Sequence, residues 1–593
     1  MFQSFNVTSR PDQAAPRVTA LRAEMAQAGL DAYLVPRADA HQGETVADCD
    51  DRLAWLTGFT GSAGSAVIGL SQAALFTDGR YTVQVRAQCD PALFEFIDWP
   101  ATKPVDWLKK TEARRIGFDP WLHTVAEIRA IRKALTDTDA ELVAGANLVD
   151  RIWADRPAPP AALAVAQSVK FTGRTSDDKL DEIRESLKKS GADAAVLTLP
   201  DSISWLLNIR GSDIAHTPVV QAFAIIPAED KLSLFANPAK FADLPEDPRI
   251  SIYDDAALAE ALSALEGRVL VDPASAPHAV VSLLTKADVV EGTDPCQLPK
   301  ARKTPQEIEG TREAHLRDGA AMVEFLAWLS DQAVETLSEI DVVKKLEGFR
   351  RATNALKDIS FETICGSGPN GAIVHYRVSE ETNRPLAEGE LLLIDSGGQY
   401  VDGTTDITRT VALGDIGADE REAFTAVLQG MIAISAARFP KGITGAHLDA
   451  LARSALWRQG RDYDHGTGHG VGAYLSVHEG PQRLSRVSDV ALEEGMILSN
   501  EPGYYREGAF GIRIENLIVV QPAQMPPGSD KREMFEFETL TFVPIDRNLI
   551  HPDALAPWER DWIDEYHALV WDRISPRLSD DARAWLREAV APL

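Results

Sequence analysis

The chain has 593 residues, of which 45% are hydrophobic and 25% charged; that is ordinary for a soluble globular protein and long enough for about three to five domains. Lys and Arg total 60 against 89 Asp and Glu, a formal net charge of −29, which argues against nucleic acid or anionic membrane as the main partner. Cys49, Cys89, Cys296 and Cys365 lie far apart with no CxxC pair, so a disulfide framework or thiolate zinc site is disfavoured and reduced thiols in a cytoplasmic chain are expected.

The first twenty residues lack an apolar h-region, and no run reaches the roughly 18 apolar residues of a membrane span. The next feature in chain order is a repeat. LRAEMAQAGLDAYLVPRAD (21–39) and IRESLKKSGADAAVLTLPD (183–201) align at one constant offset, matching Arg22 with Arg184, Gly29 with Gly191, Asp31 with Asp193 and Asp39 with Asp201. Each copy reads as an amphipathic helix, a glycine cap and an apolar strand, which predicts a duplicated α/β domain. Proline-rich Arg156–Pro160 and the stretch from Pro295 to Pro305 read as linkers. Thr304-Pro305-Gln306-Glu307 has capping-box spacing with proline at the first helical position, and predicts a long helix after it. The expected domains are therefore 1–156, 157–300 and 301–593, the last with an aromatic tail (Trp558, Trp562, Trp571, Trp585) expected to pack as helix or form a subunit contact.

Chemistry concentrates in the third domain. Asp395 follows the apolar run LLLI, Asp406 comes after a predicted hairpin, Glu501 follows MILSN, and Glu515 precedes LIVV within GIRIENLIVV, expected to be one strand. Unpaired buried carboxylates cost several kcal/mol, and Arg513 alone does not neutralise four of them. A pair of divalent cations would. Four carboxylates with one or two histidines suit Mn²⁺, with Co²⁺ or Zn²⁺ as alternatives.

The ordered set IDSGGQYVDGTTDITRT, HGTGHGVG, VHEGP, NEPGYY and GIRIEN resembles the pita-bread metallopeptidases of family M24. NLVDRIWADRP, GFTGSAGSAVI, DGRY and FETLTFVPIDRNLI extend the resemblance over nearly the whole chain, toward the long three-domain aminopeptidase P group. The resemblance implies two related creatinase-type α/β domains followed by a pita-bread catalytic domain, an α/β and α+β architecture. It implies hydrolysis of the bond between an N-terminal residue and a following proline, in a homodimer, by a hydroxide bridging two metals. The implied ligands are Asp395, Asp406, His469, Glu501 and Glu515, with Glu501 also moving a proton. His375 and His478 are implied to steady the reacting carbonyl, His465 to line the proline pocket, and Arg513 to serve the substrate side or pair with an active-site carboxylate. Thr408 is expected to bond a ligand oxygen. Three alternatives are weaker: a prolidase-type dipeptidase lacks the second N-terminal copy, a non-catalytic pita-bread binding module has lost ligands, and creatinase-like amidinohydrolases do not need the acid cluster.

Overall fold

The computed structural model describes residues 1–593. Thr8–Ala166 and Arg174–Gln297 make one compact unit; Met1–Val7, Gln167–Gly173 and Leu298–Leu593 make the other. The two N-terminal copies thus pack as one unit, and two short segments from the N-terminal part of the chain belong to the C-terminal one. Their contacts explain this. The Gln3 side chain donates to the Thr363 carbonyl at 3.3 Å and accepts from the Thr363 amide at 2.9 Å, while Gln167 donates to the Val401 carbonyl at 2.7 Å.

The first unit contains the duplication. One six-stranded sheet has the order Glu95–Asp98, Ala73–Thr77, Ser65–Gly69, Ala32–Pro36, Arg115–Phe118, Glu141–Ala144; the other has Ile250–Tyr253, Leu232–Phe235, Phe223–Pro227, Ala194–Leu197, Gly267–Val271, Ala287–Glu291. Pairing matches strand for strand. Ala32 runs antiparallel against Gly69 and parallel against Ile116, and Ala194, its repeat equivalent, runs antiparallel against Pro227 and parallel against Val269. Helices Ala14–Gln27 and Ser176–Ser190 precede the two central strands. They end at Gly29 and Gly191, whose φ of +65° and +69° only glycine adopts without strain. The repeated aspartate serves both copies alike, by tying the central strand to its parallel neighbour. Asp31 accepts from the amides of Arg114 and Arg115 at 2.9 Å, and Asp193 from the amide of Arg268 at 2.8 Å.

The second unit alternates helix pairs with sheets. Thr304 and Glu307 close the expected capping box on Pro305–Ser330, which packs with Glu339–Ala352. A three-stranded antiparallel sheet follows, ordered Ile364–Ser367, Glu390–Ser396, Ile407–Leu413. Helices Ala418–Ser435 and Gly445–Trp457 then accompany a six-stranded sheet, ordered Arg438–Pro440, Met534–Thr539, Asn516–Pro522, Ile497–Asn500, Gly468–Gly470, Glu479–Leu484. Tail helices Pro557–Ile574 and Asp580–Ala589 bury Ile563, Val570 and Leu586 completely, each worth about 1.5–3 kcal/mol of transfer free energy. Trp562, Trp571 and Trp585 lie against this core, and Trp558 stays exposed.

Candidate active site

Asp395 and Asp406 are brought together by the hairpin. Strands Glu390–Ser396 and Ile407–Leu413 pair with Asp395 opposite Thr408 and Ser396 opposite Ile407, so both acids sit at the same end of the ladder. The expected single strand through GIRIENLIVV is divided. Phe510–Arg513 pairs with Gly503–Arg506, Asn516–Pro522 joins the six-stranded sheet, and Ile514–Glu515 form the break. The reason is a set of bonds from the neighbouring hairpin: the Glu515 amide donates to the Thr408 carbonyl at 3.1 Å, and the Thr410 hydroxyl donates to the Arg513 carbonyl at 3.0 Å. Arg513 and Glu515 therefore do not share one strand, yet both face the site.

One donor atom each from Asp406, His469 and Glu515 lie within 4.8 Å of one another. His469 Nε2 is 3.5 Å from Asp406 and 3.4 Å from Glu501. Its Nδ1 donates to the Gly470 carbonyl at 2.9 Å, which turns Nε2 toward the acids. Asp395 accepts from Arg513 Nη2 at 2.6 Å, and Glu515 from the Thr408 hydroxyl at 2.7 Å, as expected of Thr408. The acids Asp395, Asp406 and Glu515 are buried, His469 and Glu501 are half-buried, and His478 is exposed, its ring 4.2 Å from that of His469. The cluster thus has an acidic floor and a histidine rim.

HGTGH is not helical. Gly468–Gly470 is a short strand beside Ile497–Asn500, and a Cβ at Gly468 would stand 1.9 Å from the Ser499 carbonyl oxygen. Close backbone approach is what the glycine permits here. His375 follows the short helix Gly368–Ala372, next to Val374, whose carbonyl lies 3.4 Å from both Arg513 Nη atoms.

Burial lifts the Asp406 carboxyl to about 6, against the pull of His469 and with the push of Asp395. Burial also raises Glu515, and Asp406, Asp395 and Glu501 raise it further. His469 is driven down by burial, but its bond to Asp406 and the charge of Glu501 win and hold it at about 9. Each of these groups is shifted as expected for an excess of buried negative charge. Asp395 Oδ1 and Asp406 Oδ1 are buried without a protein partner. Five O and N donors, two of them orphaned acceptors, fit hard or borderline divalent cations.

Two residues at the site carry no signal that the sequence pattern brings out. The Tyr505 hydroxyl accepts from Arg513 Nη1 at 2.6 Å and lies 2.9 Å from His465 Nε2, linking Asp395 to His465 through Arg513. Its only mark in the sequence is to be the second tyrosine of NEPGYY. Arg409 is fully buried and donates to the Glu515 carbonyl at 2.6 Å and to Asn516 at 2.7 Å. It fixes the strand break, and nothing local in DITRT announces that.

Comparison with known proteins gives four matches to family models. They are a Creatinase/Prolidase N-terminal domain at residues 17–152, a second at 155–307, Metallopeptidase family M24 at 309–522, and the C-terminal region of peptidase M24 at 533–593. A probable Xaa-Pro aminopeptidase P of Laccaria bicolor is 40% identical over 605 residues, covering 97% of this chain and 93% of its own. Aminopeptidase P2 of Arabidopsis thaliana is 39% identical, covering 95% and 86%. The crystal structure of X-prolyl aminopeptidase from Caenorhabditis elegans, described as a cytosolic enzyme with a di-nuclear active site, superposes with a TM-score of 0.92 at 34% identity, over 98% of this chain and 100% of that one.

Proposed function

Because the chain belongs to the Xaa-Pro aminopeptidase P family of M24 metallopeptidases, we propose that it is a metal-dependent aminopeptidase that releases an N-terminal residue from a peptide with proline at the second position. The observation that carries this reading is the convergence of Asp406, His469 and Glu515 within 4.8 Å, flanked by Asp395 and Glu501, in a chain similar along its whole length to such enzymes. Asp395, Asp406, His469, Glu501 and Glu515 would hold two divalent ions. When bound, those ions supply Lewis acidity and a water nucleophile acidified toward neutral pH. Mn²⁺ is the proposed metal.

The protein's own groups do the rest. Thr408 and Arg513 orient Glu515 and Asp395 by donating to them, and Gly470 fixes the His469 tautomer. Ser499 donates to Glu501 Oε1 at 3.1 Å, holding it beside His469 as the group that carries a proton. His375 and His478 donate to the reacting carbonyl oxygen. His465, braced by Tyr505, lines the proline pocket. Arg513 is committed to Asp395 and Tyr505, so its proposed role is to position these groups rather than to grip the peptide. The reading includes a homodimer and a cytoplasmic setting, the latter supported by four buried cysteines that form no disulfide; no helix is long and apolar enough to cross a membrane.

Assay of Xaa-Pro-Yaa tripeptides against Xaa-Pro dipeptides is the test. Release of the first residue from tripeptides, lost on chelation and restored by Mn²⁺, is expected. Rapid dipeptide cleavage with inert tripeptides would overturn the reading in favour of a prolidase.

A further inference from the structure

A buried ion pair stands behind the hairpin that carries Asp395 and Asp406. Asp318 comes from the helix Pro305–Ser330 and Arg350 from Glu339–Ala352, and both side chains are at most 1% exposed. Arg350 Nε and Nη2 donate to the two Asp318 oxygens at 2.8 and 3.0 Å. The pair then reaches both arms of the hairpin. Arg350 Nη2 also donates to the Ser396 carbonyl at 3.3 Å, and the Thr405 hydroxyl donates to Asp318 Oδ2 at 3.1 Å. Ser396 directly follows Asp395, and Thr405 directly precedes Asp406. Tyr400, in the short strand Gly398–Tyr400 between the arms, donates to Asp318 Oδ1 at 2.6 Å.

The neck of the segment joining the arms is tight. The Gly398 amide donates to the Thr405 hydroxyl at 2.9 Å, Ser360 donates to the Thr405 carbonyl at 2.9 Å, and a Cβ on Gly397 would stand 1.9 Å from that same carbonyl oxygen. An ion pair removed from water gains little net stability, and its best-attested use is to fix one arrangement among several. Here the bonds it makes beyond itself go to the two residues next to the acids, or to the strand Gly398–Tyr400 between them.

We propose that Asp318 and Arg350 are positioning residues that set the separation of Asp395 and Asp406, and thereby the affinity of the site for divalent metal. This rests on the reading of those two acids as metal ligands. Lysine at 350 would keep the charge but lose the planar fork that holds Asp318 and Ser396 together. Valine at 405 would remove the hydroxyl and its hydrogen bonds at nearly unchanged shape.

The full-length chain, stripped with chelator, is titrated with Mn²⁺ by calorimetry, and its thermal midpoint is measured without metal. Val570→Ala, in the tail helix Pro557–Ile574, is the control for destabilisation alone. Arg350→Lys is expected to bind Mn²⁺ about tenfold more weakly or worse, the effect typical of residues that orient ligands. Thr405→Val should weaken it several-fold, and Val570→Ala should lower the midpoint while leaving Mn²⁺ affinity as in the wild type. Wild-type affinity in Arg350→Lys and Thr405→Val, or an equal loss in Val570→Ala, would overturn the proposal. If Arg350→Lys fails to fold, Thr405→Val decides alone. A wild-type chain that takes up no Mn²⁺ would overturn the ligand assignment itself and this proposal with it.

Discussion

Asp318 and Asp406 are both buried acids in one catalytic unit, and they behave oppositely. Burial pushes each carboxyl up. At Asp318 the Arg350 guanidinium overrides burial and holds the group below the usual carboxylate range. At Asp406 the pull of His469 falls short of burial and the push of Asp395, and the group rises to about 6. The same contrast runs through the unit. Asp449 is gripped by Arg453 at 2.7 Å, and Glu479 by Lys300 at 3.0 Å and by Lys303, while Asp395, Asp406, Glu501 and Glu515 share Arg513 and His469. At those other acids buried charge is balanced by the chain itself; in the cluster it is left for something the chain does not encode.

The largest way to break that contrast is to alter the unbalanced side. Glu515→Gln or His469→Ala should lower turnover by roughly 10³-fold or more, the order seen when a group acting on the transition state is removed, with the fold intact by circular dichroism. Near-normal turnover would mean that the cluster is not the reactive centre. On the balanced side, Glu479→Gln leaves Lys300 and Lys303 buried around a neutral amide, and should cost about 3–5 kcal/mol in chemical denaturation. Adding Lys303→Met should return part of that, since the two changes share one pair.

The N-terminal unit supplies a smaller test. Burial lifts Asp294 to about 6, against a bond from the Cys296 amide. Its folded value is above the unfolded one, so the folded chain holds this proton longer. The resulting cost is absent below about pH 4, grows through pH 6 and is complete above it. Asp294→Asn should therefore stabilise by up to about 3 kcal/mol near pH 8, a gain that vanishes in melts near pH 4; a pH-independent gain would contradict the account. The smallest effect concerns a neutral cap. Thr304→Ala should cost about 1 kcal/mol and leave Mn²⁺ affinity alone.

What is legible in the sequence is whatever announces itself locally. Gly29 and Gly191 end helices because of their own φ, the Thr304–Glu307 box closes over three residues, and acids set against apolar runs are conspicuous without a structure. The duplicated sheet and the buried acids gathered beside His469 follow from such signals. What stays hidden is set by partners distant in the chain. Arg409 holds the Glu515 backbone across 106 residues, and Gln3 grips Thr363 across 360. The break between Arg513 and Glu515 is imposed by Thr408 and Thr410 of another strand, so an apolar run that looks continuous is divided by its neighbour rather than by its own composition. Arg513 is recognisable as a site residue, but its commitment to Asp395 and Tyr505 depends on a tyrosine that no pattern distinguishes from Tyr504.

The close approaches at Gly397 and Gly468 have an evolutionary consequence. At each, any side chain would put a carbon 1.9 Å from a backbone carbonyl oxygen of a neighbouring segment, so no conservative replacement exists and drift there is closed to a single residue type. Gly466, in the same motif as Gly468, meets its nearest neighbour only at 3.4 Å, an ordinary contact for a Cβ. Within HGTGH, then, the two glycines differ in what they tolerate: one has room for a Cβ, and the other is bound to the strand that delivers Glu501.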